Sequence, residues 1–226
     1  MDKQDHQATQ RRFEFIGGQV CLDFANTVGG IRGGPAQEAL TSYADLVAWS
    51  LQAGLLSEEE AARLLHLEQR AAGEAAAVLE RAYTLREALY SIFTALVYGS
   101  APAPDDLDQL NGELERGMAG AHIIATADGF AWNWRRDEQA LDQMLGPVAR
   151  SAAHLLTSEE RSRLRQCASP TCGWLFLDNT KNHRRQWCTM TGCGNKARVQ
   201  RHRQRRRTPQ GASSPKGGAA AAGPGS

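Results

Sequence analysis

The sequence predicts a mainly helical α+β chain: an N-terminal helical domain carrying one β-hairpin, followed by a C-terminal treble-clef-like zinc finger. Three observations predict it. Residues 57–98 are rich in Ala, Leu, Arg and Glu, with apolar residues at helical spacing. The text HIIATADGFAWNW changes to a period of two around Asp128-Gly129. Four of the five cysteines fall within 27 residues.

With 226 residues and 42% hydrophobic content, the chain can bury a sizeable core. No stretch approaches the roughly 18 consecutive apolar residues of a membrane span. The start MDKQDHQATQRR lacks the apolar centre of a signal peptide, so a cytoplasmic protein without membrane contact is expected. In that compartment thiols stay reduced, and clustered cysteines point to metal rather than to a disulfide framework. Cys21 stands apart and reads as a small buried apolar residue. The net charge of +1 conceals a division: residues 1–160 hold 12 Lys and Arg against 24 Asp and Glu, whereas 161–207 hold 13 basic residues against Asp178 alone. Local net charges of −12 and +12 imply two different jobs.

Four segments follow: a flexible N-terminus at 1–12, a helical domain at 13–157, a finger with a basic helix at 158–207, and a disordered Gly, Ala, Ser and Pro tail at 208–226. FEFIGGQVCLDFANTV suggests a short extended pair turning at Gly17-Gly18, or a strand running into a helix start. Ser42 to Gln52 reads as a helix, with Gly54 placed to end it. Ser57 and Glu60 form a Ser-x-x-Glu capping box, and the helical text runs to about Tyr98, broken or weakened at Gly73. Its apolar set Leu79, Tyr83, Leu85, Leu89, Ile92, Phe93 and Leu96 predicts a core helix. Pro104 and Asp105 open another. The hairpin follows, then a helix from about Asp137 to Leu155, and a short one from Ser158 toward Cys167.

The metal pattern is CASPTC, 15 residues, then CTMTGC. Two short Cys loops at this separation suit one structural Zn²⁺ held by Cys167, Cys172, Cys188 and Cys193, which leave no open coordination position for catalysis. Cys172-Gly173 closes a knuckle, WLFLDNTKNHRRQW reads as a hairpin with Asp178-Asn179 near its turn, and Cys193-Gly194-Asn195 opens a helix. His183 and His202 are expected to face solvent or phosphate rather than the metal.

After Cys193 the text GNKARVQRHRQRRR packs cations onto about four turns, with Arg198, Arg201 and Arg205 on one face. Like charges three or four residues apart repel, and a polyanion relieves them while releasing counterions. Lys181, Arg184 and Arg185 add charge beside the helix, and Arg suits forked phosphate or guanine contacts. Nucleic acid is therefore the expected partner, double-stranded DNA ahead of RNA because a single anchored helix fits the major groove. The expected contacts are Lys181, Arg184, Arg185, Lys196, Arg198, Arg201, His202, Arg203 and Arg205.

Residues 13–155 show no metal cluster, no phosphate loop of known spacing and no nucleophile with an obvious base, so no catalysis is expected. Asp23, Asn26 and Trp49 are candidates for binding a small effector. For Asp23 and Asn26, hydrogen bonding to nearby backbone is the competing assignment. Trp49, Trp132 and Trp134 are assigned to the core ahead of pocket lining.

The text WCTMTGCGNKARVQRHR resembles the zinc finger named for its Cys-Gly-Asn-Arg signature, here Cys193-Gly194-Asn195-Lys196. GGQVCLDFANTV at 17–28 resembles the opening of the ABATE domain that precedes that finger. The resemblance implies a helical first domain and a stress-induced transcription regulator of bacteria, nucleoid-associated when bound to DNA. Lys196 departs from the signature, keeping the charge but losing the planar fork. The expected function is a DNA-binding transcriptional regulator whose first domain senses a ligand or mediates dimerisation. The alternative is a small-molecule binder or enzyme whose finger is a structural, RNA-binding or protein-docking accessory.

Overall fold

The computed structural model describes residues 13–32, 34, 37–134 and 137–207, so the expectations for 1–12 and 208–226 lie outside the described residues. Among the described residues seven α-helices form: α1 (Val20–Ala25), α2 (Tyr43–Gln52), α3 (Glu58–Arg70), α4 (Ala72–Val97), α5 (Pro104–Met118), α6 (Leu145–Thr157) and α7 (Asn195–Arg207). Three two-stranded antiparallel pairs accompany them: β1 (Val28–Gly29) with β2 (Gln37–Glu38), β3 (Ala121–Thr126) with β4 (Gly129–Trp134), and β5 (Leu164–Gln166) with β6 (Leu175–Leu177). This is the mainly helical α+β class that the sequence predicts.

Local chemistry sets the helix ends. Ser42 caps α2 by accepting from the Asp45 N–H, and Gly54 beyond it takes a positive φ of 72°. Ser57 and Glu60 close the reciprocal box on α3 at 3.1 and 2.8 Å. The long helical text does break, at Ala71 (φ −136°, ψ 47°), while Gly73 lies inside α4. The turn lets Ala61 and Leu64 of α3 and Ala75, Val78 and Ala82 of α4 bury separate stripes in one core. Leu85, Leu89, Ile92 and Phe93 make α4 its spine.

Three expectations require correction. The segment after Gly18 is not an extended pair: the helix start of the other alternative is what forms, as α1, whose residues Cys21 to Ala25 are buried consecutively, leaving no periodicity to read. α6 starts at Leu145 rather than Asp137. Residues 137–144 form successive turns, with Asp137 accepting from Gln139 N–H and Gln143 Nε2. Trp132 is not core: it lies 58% exposed on the hairpin, whereas Trp49 is fully buried. The Trp134 side chain lies outside the described residues.

α5 and α6 cross at two glycines. A Cβ on Gly117 would lie 2.5 Å from Gly146 Cα, so only glycine allows that approach.

The region between the knuckle and β6 is joined to the helical core. The Asn26 side chain receives the Leu175 N–H and donates to the Leu175 carbonyl, both at 2.8 Å. Gly173 N–H donates to Gly30 O, Leu177 N–H to Gly17 O, and Trp174 Nε1 to Val28 O. Leu164, Leu175 and Leu177 belong to the same apolar cluster as Leu22 and Phe24. Asn26→Ala strands two buried backbone groups and is expected to cost about 2–5 kcal/mol in urea unfolding. A cost below about 1 kcal/mol would show that water or a shift of β6 replaces the amide.

Candidate metal centre and nucleic-acid interface

β5 delivers Cys167, whose N–H donates to Trp174 O, and a tight turn from Ser169 delivers Cys172. Cys188 returns from the following loop with its N–H 3.4 Å from the Cys167 sulfur. Cys193 arrives in a single π-turn, Met190–Gly194, that runs directly into α7. Thr189 caps that turn by accepting from the Gly192 N–H at 3.1 Å. The four sulfurs lie within 4.8 Å of one another, with Cys172 to Cys188 at 3.8 Å and Cys188 to Cys193 at 3.5 Å. A tetrahedral Zn²⁺ with bonds of about 2.3 Å sets its sulfurs roughly 3.8 Å apart, so the donor set and spacing fit one zinc ion. Neither His183 nor His202 belongs to the sulfur group.

The electrostatics call for a cation. Cys167 is drawn down to about 2 by hydrogen bonding with Cys172 and then Cys188. Cys172 is pushed up to about 12, chiefly by its hydrogen bond with Cys167, and Cys188 is pushed up by Cys167 and Cys172. Sulfurs this close accept one negative charge and resist the others. A dication at their centre lets all four ionise. Cys21 takes no part: burial pushes its thiol up to about 12.

Around the sulfurs the apolar content is small, with Cys167, Phe176 and Cys188 buried and Ile16, Trp174 and Trp187 partly buried. Two polar residues complete the scaffold. Arg185 lies over the Phe176 ring at 4.3 Å and donates to the carbonyls of Trp187, at 3.0 Å, and Cys188. This corrects its placement among the DNA contacts, because its guanidinium is spent inside the finger. Asp178, fully buried, accepts from Thr180 Oγ1, Thr180 N–H and Arg185 N–H at 2.6, 3.0 and 2.8 Å. Burial works to raise its pKa, but those hydrogen bonds prevail and hold the carboxyl below its ordinary value. The predicted hairpin across 174–187 is thus replaced by a loop folded around Asp178, and β6 pairs with β5 instead. The short helix expected before Cys167 is a 3₁₀ turn, Glu159–Arg163, ending in β5.

α7 leaves the centre through Gly194, where a Cβ would meet Met190 Sδ and Trp187 Cδ1 at 3.3 Å, a close approach that accounts for glycine in the signature. Beyond Ala197 the helix is exposed on all sides as far as its side chains are described. Lys196, Arg198, Arg201, His202 and Arg203 face solvent, as do Lys181 and Arg184 on the adjoining loop. None of these cations forms an ion pair among the described residues. The Arg205 side chain lies outside them. Lys196, Val199, Gln200 and Arg203 line one shallow groove along the helix.

The three effector candidates are engaged within the fold. Trp49 packs against Phe24 with ring centroids 5.1 Å apart, Asn26 is satisfied by Leu175, and the Asp23 carboxylate accepts the Gly17 N–H at 2.7 Å. All three do border a cleft of about 260 Å³, together with Phe13 and Trp174. Burial pushes Asp23 up to about 6 against the N–H groups of Gly17 and Ile16. A raised carboxyl pKa contributes stability below about pH 4, and that contribution is lost as pH rises through 6, at a cost of about 3 kcal/mol. Asp23→Asn is expected to remove this downward slope between pH 4 and 6 in chemical unfolding. An identical slope in both proteins would assign it elsewhere.

A helical domain that carries a four-sulfur zinc centre and a projecting basic helix defines the class as a zinc-finger protein. Residues 18–159 match the ABATE family, described as "Putative stress-induced transcription regulator", and the chain belongs to that family. Residues 163–206 match the CGNR zinc finger. Comparison with curated proteins gives no match. Among the described residues, no helix is long and apolar enough to cross a membrane.

Proposed function

We propose that this protein is a non-enzymatic, DNA-binding transcription regulator of the bacterial cytoplasm, in which zinc holds α7 for insertion into the major groove. The observation that carries the reading is a metal-anchored helix whose described cations are exposed and unpaired. With four thiolates and one Zn²⁺ counted, the +12 of residues 161–207 falls only to +10. Arg198 and Arg201, with Lys181 and Arg184 on the loop, take the phosphates. Lys196, Val199, Gln200 and Arg203 present the mixed chemistry suited to base edges, the Val199 methyls toward thymine and the Gln200 amide toward adenine. Both matched families are regulatory or zinc-finger types, which favours this reading over an enzyme with an accessory finger. The first domain sets the affinity by binding an effector or by self-association.

Selection of bound duplexes from a random pool tests the reading. A shared motif that disappears when zinc is chelated is the expected result, and recovery no better than background would overturn it.

A further inference from the structure

We propose that one face of the β3–β4 hairpin is the surface through which two copies of this chain pair. The register sets Ile123 opposite Trp132 and Ala125 opposite Phe130. Alternation therefore places Ala121, Ile123, Ala125, Phe130 and Trp132 on one side of the ribbon and His122, Ile124, Thr126, Ala131 and Asn133 on the other. The first side carries no charge. Phe130 is 82% exposed, Trp132 58% and Ile123 54%, an unusual concentration of large apolar side chains in water.

A two-stranded ribbon is marginal by itself and gains from packing on something. At about 150–250 Å² per large side chain, these exposed fractions leave roughly 300–500 Å² on the face. Two copies face to face remove about 600–1,000 Å² from water, within the range of weak, transient interfaces, and the rims add to it. A weak, reversible dimer is the matching assembly. Residues 1–160 have a net charge of −12, so a partner chosen by charge would be basic, yet the face offers no carboxylate to receive it. An uncharged apolar face of this kind complements a second copy of itself. A two-fold axis between the ribbons and perpendicular to their length places the two Asp128 tips at opposite ends, keeping those two carboxylates apart. The pairing requires no nucleic acid; within the regulator reading, it delivers two basic helices to one duplex.

Sedimentation of the full-length, zinc-loaded protein tests the pairing without DNA, so its failure is separable from failure of DNA binding. The wild type should shift from monomer to dimer with rising concentration, and amide exchange across 121–134 should slow in step. Phe130→Glu with Trp132→Glu should raise the dissociation constant at least about 30-fold. Thr126→Glu, on the opposite side, should leave it unchanged. Circular dichroism and zinc content confirm that each variant is folded. A wild type that is monomeric throughout with unchanged exchange, or a double variant that dimerises as tightly, overturns the proposal.

Discussion

Removing zinc is expected to melt α7 and the 178–194 loop while α1 to α6 and the β5–β6 pair stay folded. Structural zinc contributes on the order of 10 kcal/mol to small fingers, and the apolar cluster around these sulfurs is too small to replace it. Among the described residues, the α7 side chains beyond Ala197 are all exposed. Its cations repel at three- and four-residue spacing, and its N-terminus is attached through the Cys193 turn. β5 and β6 differ, because Leu164, Leu175 and Leu177 sit in the main core and Asn26 binds Leu175. Cys188→Ser should act like chelation, since Cys188 lies within 3.8 Å of both Cys172 and Cys193. Hydrogen exchange resolved by segment measures the outcome. Protection lost over 178–207 alone agrees with this division; protection retained there, or lost throughout, contradicts it.

The second large effect concerns affinity. Replacing Arg198 and Arg201 by Ala removes two exposed cations from one face of α7. If each meets a phosphate, the slope of log affinity against log salt falls by about 1.8, and binding at roughly 0.1 M salt weakens about 50-fold. Arg185→Ala offers the contrast. That guanidinium packs on Phe176 and serves the Trp187 and Cys188 carbonyls, so its loss should lower zinc retention and stability with little change in slope. Titration of labelled duplex at several salt concentrations distinguishes them, and equal slopes for the wild type and the double variant would remove α7 from the interface.

What could be read from the sequence was the chemistry that acts over a few residues. The Ser57 and Glu60 box, the β3–β4 hairpin (its turn Ala127-Asp128, one residue ahead of the expected Asp128-Gly129), Pro104 at the start of α5 and the spacing of the four cysteines each carry their cause within a short window. What escaped depends on partners far along the chain. Asn26 meets Leu175 at a separation of 149 residues, and no local pattern reveals that pairing. α1 is buried on every side and so lacks the periodicity that would mark it as a helix. Charge, visible in a sequence, groups Arg185 with the DNA-facing cations, whereas a ring beneath a guanidinium is not visible there. Asp178, the lone acid among thirteen bases, was the available clue: a carboxylate kept in so basic a segment is expected to have an internal task, and it folds the loop before Cys188.

In the proposed function, a zinc-clamped helix delivers its cations to a phosphate backbone. The most direct measurement is the affinity of the intact, zinc-loaded protein for duplex DNA across a salt series. With Lys181, Arg184, Arg198 and Arg201 on phosphates, a log–log slope of about −3.6 is predicted, steepening to no more than about −5.4 when Lys196 and Arg203 also meet the backbone, and collapsing when zinc is withdrawn. A slope near zero, or no binding even in dilute buffer, would contradict the account.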